Sequence, residues 1–184
     1  MRIVAGRWRG RSLAAPPGET TRPTADRARQ AIFDRLAHAP WAAGRLEGAL
    51  VLDAFAGTGA MGLEALSRGA ARAWFMETEA AARRVLAANI AACRAETATI
   101  LAADATHPPR GEGCSLVFLD PPYGRGLIPA SLAALRAAGW IAPEALLVCE
   151  TARDEPLDLG DALAVAFHGA ARVTFVRETA APSP

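Results

Sequence analysis

The chain has 184 residues, 52% apolar and 21% charged, which is enough for one α/β core and leaves little room for a second domain. Its net charge of +1 is unevenly spread, since residues 1–35 carry eight arginines against Glu19, Asp26 and Asp34, a net +5, and the rest of the chain a net −4. There is no lysine at all, which excludes the phosphate-binding P-loop and pyridoxal Schiff-base chemistry.

Cys93, Cys114 and Cys149 form no CxxC pair, and His38, His107 and His168 are equally scattered. Neither a disulfide framework nor a sequence-local metal site is expected. The start is broken by arginines and no run reaches the roughly 18 apolar residues of a membrane span, so a cytoplasmic protein with no membrane contact is expected. A basic segment on a mildly acidic body suggests a polyanion partner.

In chain order, residues 2–14 read as one or two short arginine-studded strands turned around Gly6 or Gly10, followed by a loop with Pro16, Pro17 and Gly18. A helix is expected over 24–37, with Thr24 as N-cap and Ala28, Ala31, Ile32 and Leu36 as its apolar stripe. From residue 49 short apolar runs alternate with helices: strands at 49–52, 73–76, 98–101, 116–119 and 145–149, helices after the glycines to Ser67, at 79–92 and at 128–138. Unbroken apolar runs fit a parallel sheet covered on both faces. The runs 162–167 and 172–176 are too close for a parallel crossover and predict an antiparallel hairpin at the sheet edge. The tail 180–184 is expected to fray. The chain is expected to divide into a basic β/α extension, 1–45, and a body, 46–184, built on a seven-stranded, mostly parallel α/β sheet.

Asp53-Ala54-Phe55-Ala56-Gly57-Thr58-Gly59-Ala60-Met61-Gly62 falls where the first strand meets its helix, with G-x-G-x-x-G spacing. Such a turn brings backbone N–H groups and a helix N-terminus to a ligand. NAD, FAD, S-adenosylmethionine or a ligand-free tight turn all remain open on the glycines alone. Asp53 favours S-adenosylmethionine, because a carboxylate there repels a pyrophosphate and attracts an ammonium. Glu77, at the end of the second strand, suits ribose hydroxyls, and Asp104 follows the third strand. Phe75, Met76, Ala102 and Ala103 are candidates for an adenine slot or for ordinary core.

Asp120-Pro121-Pro122-Tyr123 follows the fourth strand, at the carboxyl edge where open α/β sheets bind ligands. Two prolines fix the loop. A carboxylate and the Pro121 carbonyl can accept both N–H hydrogens of a planar amine, and Tyr123 can stack on its base. That combination suits direct methyl transfer to an exocyclic nitrogen. None of the cysteines stands in a position that suggests a nucleophile, which disfavours cytosine-C5 methylation.

The spacing of residues 53–70, 76–79, Asp104 and 120–126 resembles class I methyltransferases. The segments RIVAGRWRGRSL (2–13) and RPTADRARQAIFDRL (22–36) resemble, more narrowly, the bacterial 16S ribosomal RNA guanine-N2 methyltransferase family of the guanine-966 type. The resemblance implies that S-adenosylmethionine is the methyl donor and that Asp53, Phe55, Ala56, Gly57, Thr58, Gly59, Glu77, Thr78, Asp104, Ala105 and Asp120 surround it. It implies that Asp120, Pro121, Pro122 and Tyr123 engage guanine N2, and that Arg7, Arg9, Arg11, Arg22, Arg27 and Arg125 meet ribosomal RNA. The implied substrate is 16S rRNA in a partly assembled small subunit, with ribosomal proteins as part of the recognised surface, and the enzyme is expected to be a monomer without a metal. The rival readings are an adenine-N6 methyltransferase acting on DNA or RNA, a NAD-dependent oxidoreductase and a non-catalytic RNA-binding scaffold. Arginine stands where the family usually has lysine, and the linker 108–113 is short and glycine-rich.

Overall fold

A computed structural model describes residues 1–15 and 23–179; the loop 16–18, Arg22 and the tail 180–184 lie outside the described residues. The elements are α1 (Pro23–His38), β1 (Leu50–Asp53), α2 (Ala60–Ser67), β2 (Arg72–Met76), α3 (Ala80–Cys93), β3 (Ala98–Leu101), β4 (Cys114–Leu119), α4 (Leu127–Ala137), β5 (Ile141–Ala152), β6 (Ala162–His168) and β7 (Ala171–Arg177), with a 3-10 turn at Pro40–Ala42. They form one seven-stranded sheet in the order β3-β2-β1-β4-β5-β7-β6. β1 to β5 run parallel, and β7 is antiparallel to both of its neighbours, β5 and β6. This is the Rossmann-like sheet with a C-terminal hairpin that the apolar runs predict. No helix among the described residues is long and apolar enough to cross a membrane.

Alternation along the strands sorts the core into two layers. Val51, Phe75, Phe118, Val148 and Phe175 face the layer that holds α1, α2, α3 and the N-terminal residues Ile3 and Leu13. Leu52, Trp74, Met76, Val117, Leu119, Leu147 and Cys149 face the layer that holds α4. Both faces are therefore covered, which is why these strands show no polar alternation. Phe75 and Met76 are fully buried in opposite layers, so they belong to the core and not to an adenine slot.

Two local expectations change. Thr24 lies inside the first turn of α1, which begins at Pro23; proline's fixed φ and missing N–H suit that first position. The start of the chain forms a single antiparallel bridge, Arg2 to Ser12, instead of strands. Ile3, Gly10 and Leu13 donate across this narrow hairpin, to the carbonyls of Arg11, Ile3 and Met1, while the donors near its turn go to α2. Val4 and Ala5 donate to the Glu64 carboxylate, Arg7 to the Ser67 carbonyl and Trp8 to the Ser67 hydroxyl. Gly6, at φ +78°, lies so close to α2 that a Cβ would sit 1.9 Å from the Ser67 carbonyl oxygen. Only glycine fits there.

Glu64 is fully buried on α2 and is the centre of this attachment. It accepts Val4 N–H at 2.8 Å, Ala5 N–H at 3.0 Å and Arg68 Nε at 2.8 Å, and lies 3.6 Å from Arg29 Nε. Buried Asn89 on α3 bonds both the N–H and the carbonyl of Ala14, and also the Thr58 carbonyl. The basic start is thus fastened to the two helices that flank the glycine turn.

The β4–β5 pairing carries an irregularity. Cys114 pairs with Ile141, whereas Leu116 pairs with Leu146, and the in-phase ladder then runs to Leu119 opposite Cys149. The extra residues lie on β5 around Glu144, which has φ +61°. β6 and β7 are joined by Gly169 and Ala170 alone, with Gly169 at φ +62°, as a two-residue hairpin with glycine first requires.

Candidate active site

Parallel strands end at one edge, and four chemistry-bearing segments meet there. A cleft of ≈ 770 Å³ is lined by Phe55, Gly57, Thr58, Glu77, Thr78, Asp104, Asp120, Pro121, Pro122, Tyr123 and Arg125, together with Glu79, Ala82 and Leu127. A second hollow of ≈ 280 Å³ adjoins it, shares Phe55, Gly57, Thr58 and Asp120, and adds Asp53, Ala56, Met1, Arg29 and Glu150 among its walls. Of the expected cofactor residues, Gly59 and Ala105 line neither hollow. Gly59 is the left-handed residue, φ +80°, from which α2 starts, and Ala105 is buried in the α4 layer.

Each carboxylate is set differently. Asp53, 3% exposed, accepts the Gly62 N–H through Oδ2 at 3.0 Å. Burial pushes its pKa up to about 7, against the lowering effect of that bond, and Glu77 adds to the rise. Glu77 accepts Gly57 N–H through Oε2 at 2.9 Å and Glu79 N–H through Oε1 at 2.7 Å. A carboxylate offers about four lone-pair directions, so both oxygens keep capacity for hydroxyl donors. Asp104 bonds the N–H and hydroxyl of Thr106 through Oδ1, both at 2.8 Å, and these bonds hold its pKa below the usual carboxylate range.

Asp120 stands one residue past β4. It is exposed and lines both hollows. Desolvation, then Glu150, then Asp53, raises its pKa well above the ordinary value. Pro121 is buried, while Pro122 and Tyr123 are exposed. The Tyr123 hydroxyl donates to Glu150 Oε1 at 2.5 Å, although 44% of the residue is exposed. Desolvation and the Glu150 bond push the phenol's pKa up, so Tyr123 stays a neutral donor. Glu155 closes the loop from behind, accepting Gly124 N–H at 3.0 Å and Ala152 N–H at 3.3 Å through Oε2.

Glu150 and Arg29 escape the sequence reading. Glu150 is a lone acid ending the apolar run 145–149, on the strand next to β4. A charge at the carboxyl end of a central strand was the available signal. Arg29 is buried and bonds the Arg2 carbonyl and Asp26; it sits among arginines that sequence alone cannot tell apart.

Burial pushes the Cys114 and Cys149 thiols up to about 12 and raises that of Cys93, so none supplies a ready thiolate. Arg7, Arg9, Arg11, Arg27 and Arg125 are all exposed. Arg7 packs over the Trp8 ring with its guanidinium 4.2 Å from the centroid. Arg125 alone of the group reaches the main cleft.

Residues 1–171 match the protein family described as conserved hypothetical protein 95. The chain is 40% identical over 153 residues to ribosomal RNA small subunit methyltransferase D of Escherichia coli strain K12, covering 82% of this chain and 74% of the relative. It is 34% identical over 163 residues to the protein of that name in Haemophilus influenzae, covering 85% and 81%. Among solved structures, the Escherichia coli protein yhhF superposes with a TM-score of 0.85 at 35% identity, over 98% of this chain and 99% of that one. With the class I methyltransferase fold and S-adenosylmethionine as its cofactor, the chain belongs to the ribosomal RNA small subunit methyltransferase D family.

Proposed function

We propose that this protein methylates the exocyclic N2 of a guanine in the 16S rRNA of a partly assembled small subunit. The observation that carries the reading is the convergence of the Asp120–Tyr123 loop with Gly57, Glu77 and Asp104 in one cleft, in a chain with a basic start fastened beside it.

The site suits S-adenosylmethionine. Asp53, Asp120 and Glu150 all line the smaller hollow, and the one guanidinium there among the described residues, Arg29, is engaged by Asp26 and the Arg2 carbonyl. A lining of carboxylates accepts an ammonium and a sulfonium and rejects phosphates. When bound, the cofactor supplies an electrophilic methyl group. Asp53 would hold the ammonium, the Gly57 turn would approach the methionine end, Glu77 would take ribose hydroxyls and Asp104 the adenine edge. Phe55 and Thr78 would enclose the remainder.

Asp120 and the Pro121 carbonyl would accept the two hydrogens of guanine N2, turning the nitrogen lone pair toward the methyl group. As that nitrogen gains charge its proton becomes acidic, and a carboxylate with a raised pKa is matched to receive it. Tyr123, exposed and held at its hydroxyl, offers a ring face to the extruded base. Arg7, Arg9, Arg11, Arg27 and Arg125 would contact phosphates, and Arg22 joins them by its place in the same basic segment. On this reading residues 1–45 form the RNA-facing extension and 46–184 the catalytic body.

The test is transfer of labelled methyl from S-adenosylmethionine to immature small subunits from cells lacking the gene, followed by nucleoside identification. N2-methylguanosine is expected. Label on N6-methyladenosine would overturn the substrate assignment.

A further inference from the structure

Glu150 is not part of the Asp-Pro-Pro-Tyr loop, yet the sheet delivers it there. The β4–β5 ladder pairs Phe118 with Val148 and Leu119 with Cys149, so the next step sets Asp120 level with Glu150. By the same alternation both side chains leave the sheet on the face of Phe118 and Val148, as does Asp53, whose strand partner is Phe118. All three line one hollow.

Guanine presents two donors side by side on one edge, the N2 amine and the N1–H. If Asp120 and Pro121 take the amine, the N1–H is carried into the same partly desolvated space and needs an acceptor. Asp53 lies deeper, holds Gly62 N–H and is the counter-charge for the ammonium. Glu77 is fixed by Gly57 and Glu79 on the far side of the glycine turn. Glu150 remains. Its Oε1 is held by the Tyr123 hydroxyl, and Oε2 has no hydrogen-bond partner among the described residues. The tyrosine bond holds one oxygen of a residue that lines the hollow and leaves the other available to accept.

We propose that Glu150 reads the N1–H of the target guanine and so makes the site selective for a purine with donors at both N1 and N2. The inference rests on the guanine-N2 reading above. A carboxylate opposite a ring nitrogen that bears a lone pair, as in adenine or 2-aminopurine, meets repulsion where guanine offers a hydrogen bond. Glu150 is thereby a specificity residue that touches the substrate, distinct from Asp120, which faces the reacting nitrogen.

2-Aminopurine keeps the methyl-accepting amine and lacks the N1–H; it also lacks O6, a difference common to every protein variant, so the change in preference between parent and Glu150→Gln reports the N1 contact. The experiment reconstitutes small subunits around 16S rRNA with guanine or 2-aminopurine at the accepting position and measures kcat/KM for both. The parent protein should favour guanine by roughly tenfold to a hundredfold, the worth of a hydrogen bond to a charged group. In Glu150→Gln the amide oxygen stays with the Tyr123 hydroxyl and the NH2 faces the base, so the ratio should collapse to about one or invert. Glu150→Asp, which keeps the charge, should retain a preference for guanine. Tyr123→Phe, which keeps the charge but removes the bond that orients it, should slow both substrates and weaken the preference for guanine without inverting it. An unchanged ratio in Glu150→Gln, or a ratio inverted in Tyr123→Phe, overturns the proposal. Absence of transfer to guanine by the parent protein would instead overturn the functional reading beneath it.

Discussion

Replacing Glu64 by Gln alters one atom in the middle of the molecule and tests what fastens the basic start. The carboxylate is fully buried and flanked by Arg29 and Arg68, whose side chains are 4% and 10% exposed. In the amide, one oxygen becomes an NH2 group. If it replaces Oε2, the Val4 N–H loses its acceptor; if it replaces Oε1, the Ala5 N–H and Arg68 Nε lose theirs. A buried donor left unpaired costs about 1–3 kcal/mol, and the two guanidiniums also lose their counter-charge. Removing one partner of a buried pair costs about 3–5 kcal/mol, and that is the expected loss. For a chain of this size it corresponds to a fall in Tm of roughly 6–20 °C. Urea unfolding followed by tryptophan fluorescence measures it directly. A loss below about 1 kcal/mol, the value of a surface pair, would refute the view that this carboxylate anchors the extension.

The remaining predictions concern the site. The fold raises the Asp53 pKa to about 7, against about 4 in an unfolded chain; its contribution to stability is therefore full below about 4 and is lost as pH rises toward 7. Holding an ammonium needs the carboxylate, so S-adenosylmethionine affinity should rise through the same window in calorimetry. Asp53→Asn should flatten that slope, and a pH-independent affinity in the parent would contradict the role. Asp120→Ala should lower turnover on the order of 10²–10³ with the cofactor still bound; preserved turnover would remove Asp120 from the chemistry. Gly62→Ala would place a Cβ 2.3 Å from the buried Phe75 ring. Despite better helix propensity it should cost roughly 1–2 kcal/mol, and a stabilised variant in thermal unfolding would show that the ring yields. Arg9→Ala and Arg11→Ala should each weaken binding to small subunits and lower the salt slope by about one. Cofactor affinity should stay unchanged, and an equal loss of both would make these arginines structural.

Strand order and site position were legible because both follow from short-range pattern. Unbroken apolar runs such as 116–119 and 145–149 declared strands buried on two faces, and the four residues between 167 and 172 left room only for a hairpin. The motifs at Asp53 and Asp120 could be placed because parallel strands deliver their carboxyl ends to one edge. What stayed hidden depends on contacts far apart in sequence. The arginine-studded start looked like strands, yet the N–H groups of Val4, Ala5, Arg7 and Trp8 bond Glu64 and Ser67 about sixty residues away. No local propensity encodes that. Phe75 and Met76 looked like plausible cleft walls until the sheet's two faces were known. Glu150 shared no motif with Asp120 and became its neighbour only through strand pairing.

The irregular stretch of β5 near Glu144 gives that pairing a particular robustness. Regular pairing resumes at Leu146 and holds through Cys149, so residues gained or lost upstream can be absorbed where the ladder is already interrupted. Between 146 and 150 there is no such slack: one inserted residue would turn Glu150 to the opposite face of the sheet. Length variation in β5 is thus tolerated at its beginning and forbidden at its end. The strand acts as a spacer whose loose half protects the phase of its working half.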